Sequence, residues 1–139
     1  VSITVAPGNH DGEIEGLFGD REGVTLLPAS GGVLGEPPAT LGVVHGHTWP
    51  DPALLSATTI CIGHEHPQVK LEDSVGCYRV KQAWLPPELV VCPAFNDRSG
   101  GTWVNVEEQG FLAPFLPAAM PDAECYLLDG TRLGTYRSV

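Results

Sequence analysis

All five histidines of this 139-residue chain lie in three short clusters, and each cluster directly follows a run of apolar residues. The clusters are GNHD (residues 8–11), HGH (45–47) and GHEH (63–66), after the runs SITVA, LGVV and TTICI. Continuous apolar runs of this kind are typical of strands buried on both faces of a sheet. Side chains at the carboxyl ends of such strands meet at one edge, where α/β proteins hold their sites. The pattern therefore predicts an α/β fold with a histidine-rich site at a sheet edge.

Strand signals dominate the rest of the chain. Apolar runs and alternation predict strands at Ser2–Ala6, Val24–Leu27, Leu41–Val44, Thr58–Ile62, Gln68–Glu72, Tyr78–Leu85, Leu89–Phe95, Glu124–Leu128 and Arg132–Arg137. Helical periodicity is confined to Asp11–Phe18, Pro52–Ala57 and Glu107–Leu112. Turn residues at 74–76 and 129–131 predict two hairpins. Because there is no repeat, linker or break in composition, we expect one domain over residues 1–139.

The charge balance narrows the class of partner. Seven Lys and Arg residues against seventeen Asp and Glu residues give a net charge of −10. Phosphate backbones and anionic membranes both attract basic surfaces, so this balance disfavours nucleic acid as an unaided partner and argues against a membrane partner. No apolar run approaches the roughly 18 residues of a membrane span, and no signal-peptide pattern opens the sequence.

The four cysteines are Cys61, Cys77, Cys92 and Cys125, and none forms a CxxC pair. Three of them lie inside apolar runs, which is typical of buried, reduced thiols in a cytosolic protein. We therefore expect a cytoplasmic location.

The residue types in the three clusters are those that bind metals. Imidazole nitrogens and amide oxygens are ligands of Mn, Fe, Ni and Zn. In an extended strand end, His64 and His66 would point to one face, so that two adjacent ions could each take one of them. Asn9 offers an amide oxygen, while His10 could face a substrate with Asp11 orienting its ring. Since metal ligation requires neutral imidazoles, metal content should fall below about pH 6.

The order GNHD, HGH, GHEH resembles the second half of the calcineurin-like metallophosphoesterase superfamily. The later stretches PAFN (93–96) and SGGTWVN (99–105) are similar to the PAFN…GGTxVN segment of the predicted ICC-like phosphoesterases, and residues 123–137 resemble that family's last hairpin. The resemblance extends over essentially the whole chain. It implies a two-sheet α-β-β-α sandwich, of which this chain would be a strand-rich C-terminal portion.

The resemblance also implies a set of roles at a site with two divalent metal ions, Mn ahead of Fe, Ni or Zn. Asn9, His45 and His64 would bind the second ion, and His66 the first. His10 would be the substrate-facing acid, with Asp11 as its orienting partner. His47 would lie beside the site without being a ligand.

One part of the family pattern is missing. Neither DxH nor GDxxD occurs in this sequence, and in relatives these motifs supply the bridging carboxylate and the other ligands of the first ion. We therefore expect an upstream part that carries them, and we expect this chain by itself to be a weak hydrolase. Activity of the chain alone would mean that ligands not yet identified replace the missing ones, with Asp51 and Glu65 as candidates.

Substrate contacts are less sharply indicated. Asn96 follows an apolar strand, Arg98 is a candidate phosphate clamp, and backbone N–H groups near Gly100 could bind a phosphate. An ordinary turn and a surface salt bridge explain the same residues equally well. Trp49 could flank a base or sugar, although a packing or rim role is favoured.

The predicted function is hydrolysis of phosphoesters, diesters ahead of monoesters, with a metal-bridging hydroxide as nucleophile and His10 assisting the leaving oxygen. The substrate would be a phosphoester small molecule or nucleotide, and a homo-oligomer is compatible with the sequence. One alternative is a non-catalytic protein-binding scaffold of the same fold, against which the presence of His10 argues. Another is a nuclease that works beside a DNA-repair partner, which the charge of −10 disfavours.

Overall fold

The computed structural model describes residues 1–72, 74, 77–85, 88–96, 98–106, 110–120 and 123–139, without the side chains of 72, 77–85 and 119. The strands in chain order are β1 (Ile3–Val5), β2 (Val24–Leu26), β3 (Gly32–Glu36), β4 (Ala39–Val44), β5 (Thr59–Ile62), β6 (Gln68–Glu72), β7 (Cys77–Leu85), β8 (Leu89–Val91), β9 (Glu124–Leu127) and β10 (Arg132–Thr135). The helices are α1 (Ile14–Phe18), a 3-10 helix (Pro52–Ser56) and α2 (Leu116–Ala119). The chain is therefore α/β and rich in strands. None of the helices described is long and apolar enough to cross a membrane.

Two sheets organise the described residues. Strands β1 and β2 pair in parallel as a small sheet. The large sheet is mixed, in the order β10-β9-β7-β8-β5-β4-β3, and β6 pairs with β7 beside this path. Its centre is parallel, because β4 pairs with β5 and β5 with β8 in the same direction. The carboxyl ends of β4 and β5 are thus brought to the same edge.

The core lies on one face of the large sheet. The register pairs Val44 with Ile62 and Ile62 with Val91, so these three side chains share a face, and each is at most 2% exposed. They pack with Leu54 from the 3-10 helix and Leu116 from α2. Apolar burial of this kind stabilises the sheet by roughly 25 cal/mol per Å² removed from water.

The opposite face of the same strands is less covered. Leu41 is 37% exposed, and Val43, Cys61 and Val90, which share its face through the register, are only partly buried. Central parallel strands are ordinarily covered on both faces. The large sheet therefore has one face that is covered by the core, which we call the finished face, and one apolar face that is only partly covered, which we call the open face.

Most strand predictions are confirmed, with shifted ends. Strand β3 was not predicted, since GVLGE carries two glycines and little apolar alternation, and the short helix α2 was not predicted either. The strand predicted over Leu89–Phe95 ends at Val91, because Pro93 cannot donate to a ladder. The helix predicted over Asp11–Phe18 begins only at Ile14, since residues 8–11 form a turn.

Two predictions fall partly on residues that the structure does not describe. The first is the helix over Glu107–Leu112, of which residues 110–112 are described and are not helical. The second is the hairpin turn at 74–76. The turn at 129–131 is confirmed, with Asp129 accepting a hydrogen bond from the Thr131 N–H.

Candidate functional site

The three histidine clusters follow β1, β4 and β5, and two of them meet directly at the end of the large sheet. The His45 carbonyl accepts hydrogen bonds from the N–H groups of both Gly63 and His64, at 3.0 Å each. Gly46, which follows His45 in the chain, has a φ of +112°, and a Cβ on this residue would lie 3.3 Å from His64 Cβ. Glycine is needed at this position for both its backbone conformation and its size.

The GNHD cluster follows β1 of the small sheet and lies next to the other two clusters. Residues Gly8–Asp11 form a turn in which the Asp11 N–H donates to the Gly8 carbonyl, while Asp11 Oδ2 accepts from the Gly8 N–H at 2.7 Å. The turn lies against His45, because a Cβ on Gly8 would be 2.8 Å from His45 Cε1. Asp11, which we expect to orient His10, therefore also closes this turn.

Three of the predicted metal ligands converge. His45 Nε2 lies 3.2 Å from Asn9 Oδ1 and 3.2 Å from His64 Nδ1. We call Asn9, His45 and His64 the ligand cluster. The described residues contain no group of three His, Cys, Asp or Glu side chains arranged to hold a metal ion, and the cluster reaches three donor atoms only through the amide of Asn9.

His47 lies beside the ligand cluster. Its ring centroid is 5.3 Å from that of His45 and 6.0 Å from that of His64. Its Nδ1 is buried and has no hydrogen-bond partner among the described residues. Buried polar atoms without a partner are uncommon in folded proteins.

His66 departs from the extended geometry expected for the GHEH segment. The His66 N–H donates to the Gly63 carbonyl and closes a tight turn, and His66 itself has φ +48°. Its Nδ1 lies 3.1 Å from the Gly100 carbonyl oxygen. His64 and His66 thus lie on a tight turn and are not related by the alternation of a strand.

Burial and neighbouring imidazoles keep the cluster histidines neutral. The pKa of His45 is lowered from 6.5 to about 4, mainly by burial and in addition by the neighbouring His64 and His47. The pKa of His64 is also lowered, mainly by burial, although Glu65 opposes the change. Both rings therefore hold free lone pairs at neutral pH, as metal ligands must.

The lowered pKa of His45 predicts that the metal-free chain becomes less stable as the pH falls. Between pH 6.5 and about 4, unfolded His45 binds a proton that folded His45 does not, so the free energy of unfolding should decrease as the pH falls through that window. Urea denaturation with a chelator, at pH values from about 7 to about 4, measures the slope. His45→Gln should make the slope shallower, and equal slopes in the two proteins would contradict the assignment.

The two carboxylates considered as replacement ligands have other roles. Glu65 is fully buried and accepts hydrogen bonds from the N–H groups of Leu112 and Ala113 and from the Thr102 hydroxyl. Asp51 caps the 3-10 helix by accepting from the Ala53 N–H at 2.8 Å. Neither carboxylate belongs to the ligand cluster.

The predicted substrate residues lie on the loop after β8. Asn96 Oδ1 accepts from the N–H groups of Arg98 and Ser99, at 2.9 and 2.8 Å, so this oxygen shapes the loop. The Arg98 side chain is exposed, and the Gly100 carbonyl faces His66. This carbonyl contact was not predicted, because the glycines here were expected to act only as N–H donors.

Two further expectations concern Trp49 and the cysteines. Trp49 is 68% exposed, with its ring centroid 6.5 Å from that of Phe115, and both line an apolar cavity of about 450 Å³. The thiols described, Cys61, Cys92 and Cys125, are free, and Cys125 is buried as predicted, whereas Cys61 and Cys92 are only half-buried. The Cys77 side chain lies outside the described residues.

Comparison with known proteins identifies a structural relative. The crystal structure of the Pseudomonas putida nuclease MPE is similar to this chain, with a TM-score of 0.53 and 17% sequence identity over 91% of this chain and 50% of that one. No protein-family model matches the chain, and no curated protein matches it. At this identity the similarity shows a shared fold, and the chain spans about half the length of that nuclease.

Proposed function

We propose that this chain carries the second-ion half of the metal centre of a phosphoester hydrolase. The observation that carries the proposal is the convergence of Asn9 Oδ1, His45 Nε2 and His64 Nδ1, with 3.2 Å between successive donor atoms. The shared fold with a nuclease supports phosphoester hydrolysis as the general class of reaction.

The spacing of the donor atoms fits a bound cation. Two ligands that each lie about 2.0–2.1 Å from one ion are roughly 2.9–3.4 Å apart, depending on whether the coordination is octahedral or tetrahedral. Both separations of 3.2 Å fall in that interval. Nitrogen and amide-oxygen donors suit Mn, Fe, Ni or Zn, with Mn as the preferred candidate.

Each predicted residue has a part in this proposal. Asn9, His45 and His64 hold the second ion, and His66 offers one ligand to the first. The pair of ions, when bound, polarises the phosphoryl group and activates water. His10, exposed on the turn after β1, donates a proton to the departing oxygen. Asn96, Arg98 and the backbone at Gly100 bind the phosphate side of the substrate.

The open face of the large sheet is an argument for a second part of the domain that covers it. Leu41 and its partly buried neighbours on that face would be covered by further strands, which would complete a two-sheet sandwich and supply the DxH and GDxxD ligands. The nuclease of similar fold is about twice as long as this chain. Its additional length is sufficient for a second part of this kind. The 139 residues are then the C-terminal portion of one metallophosphoesterase domain.

The favoured substrates are small phosphodiesters or nucleotides. The net charge of −10 makes an extended polyanion an unfavourable partner unless another segment contributes basic residues. Nuclease activity is the second candidate, and the structural relative favours it. A panel of bis-aryl phosphodiester, cyclic nucleotide and single-stranded DNA separates the two.

Titration of the chain with Mn²⁺ or Zn²⁺ alone tests the proposal. We expect binding by the wild-type chain, and loss of affinity in His45→Ala and His64→Ala that exceeds the roughly 10–100-fold typical of changing a residue that only supports a ligand. His10→Ala is the matched control and should retain the ion. Equal binding by all four proteins would overturn the ligand assignment, as would no binding by any of them.

The pH dependence of this binding is also expected to differ from that of ordinary histidines. An unperturbed pKa near 6.5 predicted release of metal below about pH 6. Because the pKa of His45 is about 4 and that of His64 is lowered, protons compete less, so the ion should remain bound to lower pH. Metal content after equilibration at decreasing pH measures the midpoint of release.

A further inference from the structure

The Glu65 carboxylate is the centre of a set of contacts between the histidine turn and two distant segments. It is fully buried, and it accepts hydrogen bonds from the Leu112 and Ala113 N–H groups at 2.9–3.0 Å and from the Thr102 hydroxyl. A desolvated carboxylate is costly unless several donors satisfy it. Three donors from two segments 37 to 48 residues away meet this requirement.

The segment held by Glu65 runs directly against His66. The Thr102 N–H donates to the Glu65 carbonyl, and the Gln68 N–H donates to the Thr102 carbonyl. A Cβ on Gly101 would lie 1.9 Å from the His66 carbonyl oxygen, so only glycine permits this approach. The contacts carry the Gly100 carbonyl to within 3.1 Å of His66 Nδ1.

This carbonyl determines which nitrogen of His66 carries the proton. A carbonyl oxygen can only accept a hydrogen bond, so His66 Nδ1 must be the donor. The other nitrogen, Nε2, is then left with its lone pair. An imidazole fixed in this tautomer is ready to bind a metal ion or accept a proton at Nε2.

We propose that Glu65 and Thr102 are positioning residues that hold the Gly100 carbonyl against His66 and so fix His66 as the Nδ1–H tautomer with Nε2 free. The link runs from the Glu65 carboxylate through Thr102 to the Gly100 carbonyl. It also stabilises the uncommon backbone conformation of His66, whose φ is +48°. The use of Nε2 as a metal ligand rests on the proposed function, whereas the tautomer itself does not.

Long-range ¹H–¹⁵N correlation spectra of the histidine side chains test the proposal in the metal-free chain at neutral pH. Wild-type His66 should show a protonated Nδ1 and an unprotonated Nε2, with its signals assigned from a His66→Gln variant. Thr102→Val keeps the side-chain size and removes the hydroxyl, and Glu65→Gln turns an amide NH₂ toward backbone donors. In both variants the His66 signals should shift toward an average of the two tautomers.

Thr48→Val is the matched control, because it removes a hydroxyl bond of similar kind, from Thr48 Oγ1 to the Ala29 carbonyl, close to the histidine clusters but outside this link. It should leave the tautomer of His66 unchanged. Backbone amide spectra establish that each variant is folded. If Glu65→Gln does not fold, Thr102→Val decides the question.

Two results would overturn the proposal. One is an Nε2–H tautomer in the wild-type chain, and the other is an unchanged Nδ1–H tautomer in a folded Thr102→Val chain. A Zn²⁺ titration adds an independent readout, with affinity expected to fall roughly 10–100-fold in Thr102→Val. If the wild-type chain binds no Zn²⁺ but His66 holds the expected tautomer, the proposed function fails while the positioning role stands.

Discussion

Covering the open face of the large sheet with a segment that carries DxH and GDxxD should convert a weak hydrolase into an efficient one. A pair of metal ions would require a carboxylate shared by both ions and further ligands for the first ion. Among the described residues, His66 is the one ligand proposed for the first ion, since Glu65 and Asp51 bind backbone N–H groups instead. Hydrolysis of a bis-aryl phosphodiester with Mn²⁺ should therefore be near background for the chain alone and rise strongly when the proposed segment is joined to it.

A His64→Ala change in the joined protein is the control, because it keeps the covered sheet but removes a ligand. It should return the rate to background. Equal rates for the chain alone and the joined protein would refute the idea of a missing half-site. That outcome would direct the search to ligands outside the residues described.

Removal of the His10 imidazole should lower the rate of the joined enzyme by roughly 10²–10⁴-fold, the range typical of losing a positioned acid. His10 lies on the turn that also carries Asn9, and its charge is close enough to lower the pKa of His64. It would stand on the substrate side, so His10→Ala should leave the metal content intact. The loss should be largest for alkoxide leaving groups, which need a proton, and smaller for aryl groups, which depart without one.

Elemental analysis beside leaving-group kinetics makes this measurement. His45→Ala serves for comparison, since metal content and activity should fall together in that variant. If His10→Ala strips the metal, or slows every substrate by the same factor, then His10 is a ligand or a structural residue and not the acid.

Much of the site could be predicted from local sequence. The apolar runs before GNHD, HGH and GHEH predict strands, and the structure has β1, β4 and β5 at those positions. Apolar runs are informative because burial of a strand depends mainly on its own side chains. The meeting of His45 and His64 follows from the parallel pairing of β4 and β5, which buried strands of this kind favour.

The open face could not be predicted from the same runs. Leu41, Val43 and Cys61 appear in sequence as fully buried residues, yet they face the less covered side of the sheet. The alternation of a strand assigns residues to two faces but does not say what covers either face. Only the register and the packing of the 3-10 helix and α2 distinguish the finished face from the open one.

The sequence by itself determined the three strand-end clusters and their residue types, on which the proposed chemistry rests, because these depend on neighbours within a few positions. The tertiary structure alone decided how Glu65 and His66 are used. Glu65 lies between two histidines and was considered as a ligand, but donors at Thr102, Leu112 and Ala113 draw its carboxylate into the core. Burial of a carboxylate is costly unless hydrogen-bond donors satisfy its oxygens, and here those donors come from segments far along the chain.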